Sequence, residues 1–230
     1  MTIRIYDLVG LNDCRFSSNC WRIHYALAHK GLDVETVPTR FTEIANIGDG
    51  SHPTIPVIED GDRRIGESWD IAEYLEETYP DAPSLFGGLA GRAYARFVQR
   101  WCETRINPFA ITLIINDIYE QLTPEDRPYF HESRSKRLGA PIEAAMLGRE
   151  ERLPEFRARL DPLRRIVEEQ SFLGGDTPLY ADYLAMAPMI WARKTSPFAL
   201  VEDGDPVHAW MHRCLDLYGG LGRHGAGHGW

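Results

Sequence analysis

Residues 54–68 read TIPVIEDGDRRIGES, and this stretch carries most of the information about the fold. Strand-like residues flank a turn at Glu59–Asp62, which is typical of a β-hairpin, and a helical pattern follows from about Glu67 to Thr78. Pro56 cannot donate a hydrogen bond to a sheet, so it belongs at an edge or in a special turn. We therefore predict a hairpin over 54–65 with a cis Ile55–Pro56 bond at its entrance, although spacing alone leaves the trans isomer open.

Strand and helix patterns also alternate before this stretch. Residues 3–8 and 33–37 have strand composition, and Pro38 is predicted to end the second strand. Between them, a helix is predicted from about Ser18 to Lys30, with Gly31 as its stop. The first 80 residues therefore have the order β-α-β, a long loop, then β-β-α.

Strand patterns disappear after a linker rich in proline and glycine over residues 81–90. A pattern with helical spacing runs from Tyr94 to Arg105, and Pro108 is predicted to interrupt this helix. Thr123-Pro124-Glu125-Asp126 is typical of a helix start, with a Thr cap, Pro at the first position and Glu125 and Asp126 as acids in the first turn. Asp161-Pro162 and Asp205-Pro206 are two more such starts. The sequence predicts an α/β domain over 1–80 and an all-helical domain over 91–230.

Composition narrows the class of protein. The 230 residues carry a formal net charge of −9, and residues 1–80 hold 7 Lys/Arg against 14 Asp/Glu. An acidic chain without a basic stripe is a poor candidate for binding nucleic acid or an anionic membrane. No apolar run is long enough to span a membrane, and no secretory signal is recognised, so we expect a cytoplasmic protein. The four cysteines form no CxxC pair and no zinc-site spacing, so reduced thiols and no metal are expected.

Ser17 lies at the junction between a strand and a helix, where a reactive sulfur is favoured as thiolate. The first turn of a helix presents free N–H groups and a partial positive charge. A hydroxyl donor adds about 1.5–3 kcal/mol, which lowers a thiol pKa by about one to two units. The alternative is that Ser17 only caps the helix.

Glu67 and Ser68 stand at the start of the next helix, where backbone N–H groups and a hydroxyl can bind a carboxylate. Glu67 can accept a bond from an amino group, and the strand before Pro56 can bind a peptide as an added strand. An amino-acid end, a peptide body and a thiol together describe glutathione. Here too, a simple helix cap is the alternative.

These features together resemble the glutathione transferase family. Ser17, Ile55-Pro56 and Glu67-Ser68 match its motifs, and residues 172–182 are similar to the helix-capping segment of its C-terminal domain. The resemblance implies a thioredoxin-like N-terminal domain, an all-helical C-terminal domain and a homodimer. It also implies an enzyme that holds glutathione as thiolate for attack on a hydrophobic, aromatic electrophile. A non-catalytic glutathione-binding or regulatory protein on the same fold is the alternative.

A finer resemblance is to bacterial glutathione-dependent β-aryl etherases and fungal transferases, through residues 20–32, 68–75 and 215–224. It implies that Asn19 is a second donor to the sulfur, and β-aryl ether cleavage as a narrower activity. Ser18 replaces the proline common after the catalytic serine, and Leu179 replaces the usual helix cap, so Asp182 has to contribute otherwise. The longer C-terminal tail associated with the etherases is missing, which puts that substrate in doubt.

Further site residues follow from the resemblance. Arg40 and His52 are candidates for binding the glycine carboxylate of glutathione, and each could equally be an ordinary surface residue. Cys20 is expected to be a buried thiol on the helix face rather than a catalytic one. The acceptor pocket is expected between the domains, lined by Val9, Leu11, Phe16, Trp101, Arg105, Phe109 and Trp191.

Overall fold

A four-stranded sheet forms the core of the N-terminal domain in a computed structural model that describes residues 2–230. The strands are β1 (Ile3–Leu8), β2 (Val34–Thr39), β3 (Val57–Asp60) and β4 (Arg63–Gly66), in the order β2-β1-β3-β4. β1 and β2 are parallel, and the other pairs are antiparallel. With α1 (Ser18–His29) and α2 (Ser68–Thr78), this confirms the predicted thioredoxin-like arrangement.

Local signals place most element ends correctly. Gly31 has φ +67° and follows the last turn of α1, as glycine does where a helix ends in the left-handed region. The Ile55–Pro56 peptide bond is cis, as predicted. Pro38 does not end β2, which was the prediction; it lies inside the strand opposite Asp7. β2 is an edge strand, so a residue without an N–H is tolerated there.

The rest of the chain is helical, which confirms the predicted C-terminal domain. Its helices are α3 (Leu89–Trp101), α4 (Asn107–Glu120), α5 (Arg127–Leu138), α6 (Ile142–Ala145), α7 (Arg149–Arg159), α8 (Asp161–Glu169), α9 (Tyr180–Thr195) and α10 (Pro206–Gly220). No helix in residues 2–230 is long and apolar enough to cross a membrane.

Two helix boundaries differ from the prediction. Pro108 does not interrupt the helix that precedes it, because a π-helical turn over Cys102–Ile106 joins α3 directly to α4. Pro108 then occupies the first turn of α4, where its missing N–H is not needed. Thr123 does not start a helix either, since Thr123–Asp126 forms a turn and α5 begins at Arg127. Asp205 does start α10, and its carboxylate accepts the Val207 N–H at 2.8 Å.

Asp182 replaces the missing side-chain cap at Leu179. Its carboxylate is fully buried and accepts the N–H groups of Leu173, Gly174 and Leu179 at 2.7, 3.1 and 3.0 Å. It also accepts the indole N–H of Trp210 at 3.0 Å. One carboxylate thus fixes the start of α9, the loop before it and α10.

Candidate active site

Ser17 is the N-cap residue of α1. Its backbone is extended (φ −64°, ψ 112°), and its Oγ accepts the Cys20 N–H at 3.2 Å. Serine is favoured here because its short side chain reaches the free N–H groups of the first turn. An oxygen that accepts this bond still carries its own proton, so Ser17 can cap the helix and donate to a ligand at the same time. The two interpretations of Ser17 are therefore compatible.

Cys20 is fully buried on the inner face of α1. Burial raises the pKa of its thiol well above the ordinary value, and the nearby Asp7 raises it further, while the Ser17 hydroxyl lowers it. A buried, neutral thiol is a poor nucleophile. This environment supports the expected role of Cys20 as a packing residue.

A cavity of about 440 Å³ lies beside Ser17, a volume ordinary for a small-molecule site. The N-terminal domain contributes Leu8, Phe16, Ser17, Ser18, Asn19, Phe41, Ile44, Pro53, Thr54 and Ile55 to its lining. The helical domain contributes Asn107, Pro108, Ile111, Ile118, Tyr129, Phe130, Arg134, Arg137, Leu138 and Trp191. The lining therefore combines hydroxyl and amide groups at the α1 N-terminus with an apolar, aromatic wall.

The predicted Glu67–Ser68 pair lies next to this cavity. Glu67 Oε1 accepts a hydrogen bond at 2.9 Å from Thr54 Oγ1, and Thr54 lines the cavity. Glu67 precedes α2 but does not cap it with its side chain, and its φ of +63° is unusual for a residue with a Cβ. Ser68 is buried, 7% exposed, in the first turn of α2. The simple cap therefore does not account for Glu67.

Arg40 and His52 lie near the site but have protein partners. Arg40 donates to Glu43 at 2.7 Å and lies 3.8 Å from Glu125, and the hydrogen bond to Glu43 raises its pKa. The His52 ring packs against Gly66, where a Cβ would be 2.5 Å from His52 Nδ1. Neither side chain lines the cavity, so their roles toward glutathione stay predictions.

Of the residues predicted for the acceptor pocket, Phe16 and Trp191 line the cavity. The other five do not: Val9, Leu11, Trp101, Arg105 and Phe109. Leu11 is exposed at the surface, and Val9 pairs with Arg15 across a β-bridge. On α4, the wall is formed by Asn107, Pro108, Ile111 and Ile118.

The π turn bears on the orientation of Phe109, which follows it in the chain. A π turn holds more residues than an α-helical turn, so it rotates the side chains that follow. Phe109 therefore faces α7, where its ring lies 6.0 Å from that of Phe156 and 4.6 Å from the Arg159 guanidinium. Arg105 is exposed, and its carbonyl accepts from Arg159 at 3.5 Å.

Several cavity residues went unnoticed in the sequence. Phe130, Arg134 and Arg137 lie on α5 at intervals of four and three residues, with Tyr129 beside them, and this spacing was the available signal. The sequence predicts Asp126 as a first-turn acid, but its fully buried carboxylate accepts the N–H groups of Phe41 and Thr42. No local sequence pattern predicts that contact.

Comparison with known proteins decides the family. Residues 11–83 match the family described as "Glutathione S-transferase, N-terminal domain", and residues 93–217 match "Glutathione S-transferase, C-terminal domain". The chain belongs to the glutathione S-transferase family. The family takes glutathione as co-substrate, and residues 2–230 contain no cluster of three His, Cys, Asp or Glu side chains that could hold a metal.

Curated relatives within the glutathione S-transferases include the zeta-class enzyme of Euphorbia esula. It is 31% identical over 137 residues, which cover 54% of this chain and 59% of that protein. Maleylacetoacetate isomerase of Dictyostelium discoideum is 33% identical over 104 residues, covering 40% of this chain and 45% of that protein. The chain thus spans about half the length of the curated relatives it matches.

Solved glutathione transferases share the fold over nearly the whole chain. Glutathione transferase GSTFuA3 of Phanerochaete chrysosporium superposes with a TM-score of 0.82 at 24% identity, covering 93% of this chain and 96% of that one. The transferase CsGST63524 of Ceriporiopsis subvermispora, solved in complex with glutathione, gives 0.79 at 24% identity, with 94% and 96% covered.

Proposed function

We propose that this chain is an enzyme that binds glutathione, holds its sulfur as a thiolate at the N-terminus of α1, and transfers it to a hydrophobic, aromatic electrophile. The observation that carries the proposal is Ser17, an N-cap hydroxyl that lines a cavity of about 440 Å³ with aromatic residues in its wall. Ser17 donates its hydroxyl proton to the sulfur, and Asn19, exposed in the first turn and lining the same cavity, is the second donor.

The remaining parts of glutathione fit the neighbouring backbone and side chains. Ile55 precedes β3, and in the described part of the chain its N–H and C=O take part in no backbone hydrogen bond, so they are free to pair with a peptide. Glu67 accepts the α-amino group, while the first turn of α2 and Ser68 bind the α-carboxylate. Arg40 or His52 would bind the glycine carboxylate.

The chemistry then needs only the thiolate and a leaving group. With a β-aryl ether, the sulfur forms a bond to the ether-bearing carbon, the carbon–oxygen bond breaks, and the phenolate leaves with the electron pair. The protein lowers the sulfur pKa and aligns the two reactants in a site shielded from water. β-Aryl ether cleavage is supported by the similarity of residues 20–32, 68–75 and 215–224 to etherase sequences.

A second candidate activity is glutathione-dependent isomerisation, which the zeta-class and maleylacetoacetate isomerase relatives favour. The same thiolate would add to a conjugated double bond, allow rotation about the resulting single bond, and then leave. Glutathione is regenerated in that reaction, whereas it is consumed in ether cleavage. The balance of glutathione therefore separates the two activities.

One assay series tests these functions together. Wild type and Ser17→Ala are each given glutathione with a fluorogenic β-aryl ether, an activated aryl halide or a conjugated cis-alkene, and product and residual glutathione are measured. We expect turnover of at least one aryl electrophile and its severe loss in Ser17→Ala. Glutathione that stabilises the fold against heat, without turnover of any acceptor, would instead establish a non-catalytic binding protein.

We also propose that the protein is a cytoplasmic homodimer. The support in the structure is exposed apolar surface on α3, where Leu89 is 85%, Phe97 69% and Tyr94 36% exposed. Surfaces of this kind occur at protein interfaces. Sedimentation at micromolar concentration tests the dimer.

A further inference from the structure

Two arginines in the cavity wall have no carboxylate partner. Arg134 and Arg137 stand one turn apart on α5, and both line the cavity beside Ser17. Within residues 2–230, neither forms an ion pair, whereas Arg127 on the same helix pairs with Glu120 at 3.2 Å, and Arg149 pairs with Asp117 at 2.7 Å. The two cavity arginines are thus set apart from these neighbours.

Arg134 is held in place by contacts that leave most of its charge uncompensated. Its guanidinium carbon lies 5.1 Å from the centre of the Phe130 ring and 5.6 Å from that of Phe41. Nη1 donates to Ser133 Oγ at 2.8 Å, which uses one of the five N–H donors. Burial lowers the pKa of Arg134; Tyr129 raises it, and the neighbouring Arg137 lowers it. A partly buried cation without a counter-charge is costly, and a bound anion would remove that cost.

Aromatic rings connect Ser17 to this cationic end of the cavity. Phe16, next to Ser17 in the chain, lies 6.3 Å from Phe41 between ring centres. Phe41 lies 5.9 Å from Phe130, the ring beneath Arg134. An aromatic acceptor can therefore stack along these rings, with its reacting carbon near Ser17 and an anionic substituent at Arg134.

We propose that the acceptor substrate is an aryl electrophile bearing a carboxylate, and that Arg134, assisted by Arg137, binds that carboxylate. This rests on the proposed transferase function and specifies its substrate class. The planar guanidinium suits a carboxylate because it can donate two parallel hydrogen bonds. Arg137 lies in the last turn of α5, where the helix dipole stabilises a positive charge without a bound anion. Arg134 lies before that turn, so the dipole does not explain an unpaired charge there.

The test compares two acceptors of similar shape and different charge. A chlorodinitrobenzoate, with its carboxylate para to the chloride, is paired with the corresponding neutral benzamide, whose ring is more strongly activated, so each variant is compared with wild type on the same acceptor. In both, the thiolate sulfur bonds to the ring carbon and chloride leaves. We expect Arg134→Gln to lower kcat/KM for the benzoate by about tenfold or more and for the benzamide by less than about twofold. Arg137→Gln should produce a smaller loss with the same selectivity.

Two further variants separate charge from structure. Arg134→Lys keeps the charge and should retain most of the wild-type kcat/KM for the benzoate. Lys136→Gln removes a charge from the same helix at a residue that does not line the cavity, and should change neither acceptor. Equal losses for benzoate and benzamide in Arg134→Gln would overturn the proposal, because they indicate a structural role.

Binding without turnover keeps the proposal independent of activity. Calorimetric titration with dinitrobenzoate and dinitrobenzamide, which lack the leaving chloride, should show tighter binding of the benzoate to wild type and loss of that difference in Arg134→Gln. Equal binding of the two compounds to wild type would overturn the acceptor assignment, whether or not the chain is a transferase. The turnover assays are also run with glutathione esterified at its glycine carboxylate. If Arg134→Gln loses activity with glutathione but not with this ester, Arg134 binds the glycine carboxylate, and the acceptor assignment is overturned.

Discussion

Ser17→Ala is the most informative substitution in this site, because the hydroxyl it removes has two separable roles. The oxygen accepts the Cys20 N–H at 3.2 Å and thereby caps α1. Its proton, in the proposed function, is donated to the glutathione sulfur. The first role affects folding and the second affects the sulfur pKa, so each has its own measurement.

The expected sizes follow from these two contacts. A hydrogen bond to a charged group contributes about 1.5–3 kcal/mol, which corresponds to a rise of about one to two units in the sulfur pKa when it is lost. A higher pKa leaves less thiolate at neutral pH, so the rate there falls by up to about tenfold for each unit by which the pKa rises. Loss of the cap lowers the free energy of unfolding by about 0.5–2 kcal/mol.

The ultraviolet absorbance of the bound thiolate, titrated with pH in the glutathione complex, measures the first quantity. The pH profile of kcat/KM should shift to higher pH by the same amount as the sulfur pKa. Urea unfolding measures the second quantity. Ser17→Gly should give the same pKa shift with only a few tenths of a kcal/mol of destabilisation, because glycine is an acceptable N-cap.

Ser18→Ala is the matched control, since it removes a neighbouring hydroxyl that also lines the cavity. It should leave the thiolate titration unchanged. A destabilised Ser17→Ala protein with a wild-type thiolate titration would refute the sulfur role and leave Ser17 as a cap alone.

Three further predictions concern residues outside the sulfur site. Asp126→Ala removes the buried acceptor of two N–H groups and should lower the free energy of unfolding, measured in urea, by about 1–3 kcal/mol. Glu125→Ala changes an exposed residue and should alter it by less than about 0.5 kcal/mol. Equal effects of the two substitutions would contradict the burial argument. Phe97→Arg should dissociate the proposed dimer in sedimentation. Leu147, 75% exposed in the connection between α6 and α7, is the control, and Leu147→Arg should leave the dimer intact. Burial lowers the pKa of Lys194 to about 8, so between that pH and its unfolded value of 10.5 this side chain adds a rise of the free energy of unfolding with pH, against the fall contributed by the four buried cysteines, whose thiol pKa values burial raises. In Lys194→Met the free energy of unfolding should therefore fall more steeply with pH than in wild type over this range, and equal slopes would contradict the assignment.

The sequence-based predictions succeeded where the physics is local. Gly31 ends α1 because a left-handed residue follows a helix, and Asp205 starts α10 because its carboxylate reaches an N–H two residues on. Gly31 and Asp205 needed no knowledge of distant contacts. The compensating role of Asp182 was instead implied by the resemblance of residues 172–182 to the family's helix-capping segment, and its contact with Trp210 lies outside that segment.

The predictions failed where distant segments decide the outcome. Asp126 was expected in the first turn of a helix, but its carboxylate is occupied by Phe41 and Thr42, more than eighty residues earlier. Trp101 and Phe109 were expected in a pocket between the domains, but neither lines the cavity. Phe109 instead packs against Phe156 and Arg159 of α7, more than forty residues later, and no pattern around Phe109 indicates that partner.

The contact of Asp126 with Phe41 and Thr42 bears on chimeras made within this family. The helical domain supplies the carboxylate, and the N-terminal domain supplies the N–H groups and the Phe41 ring that the acceptor would meet. A hybrid that imports a helical domain without a carboxylate at this position would displace Phe41, even if every cavity-facing helical residue were transferred. In the proposed function, acceptor preference would therefore not be inherited through the helical domain alone, and recombination between relatives would have to carry this pair of segments together.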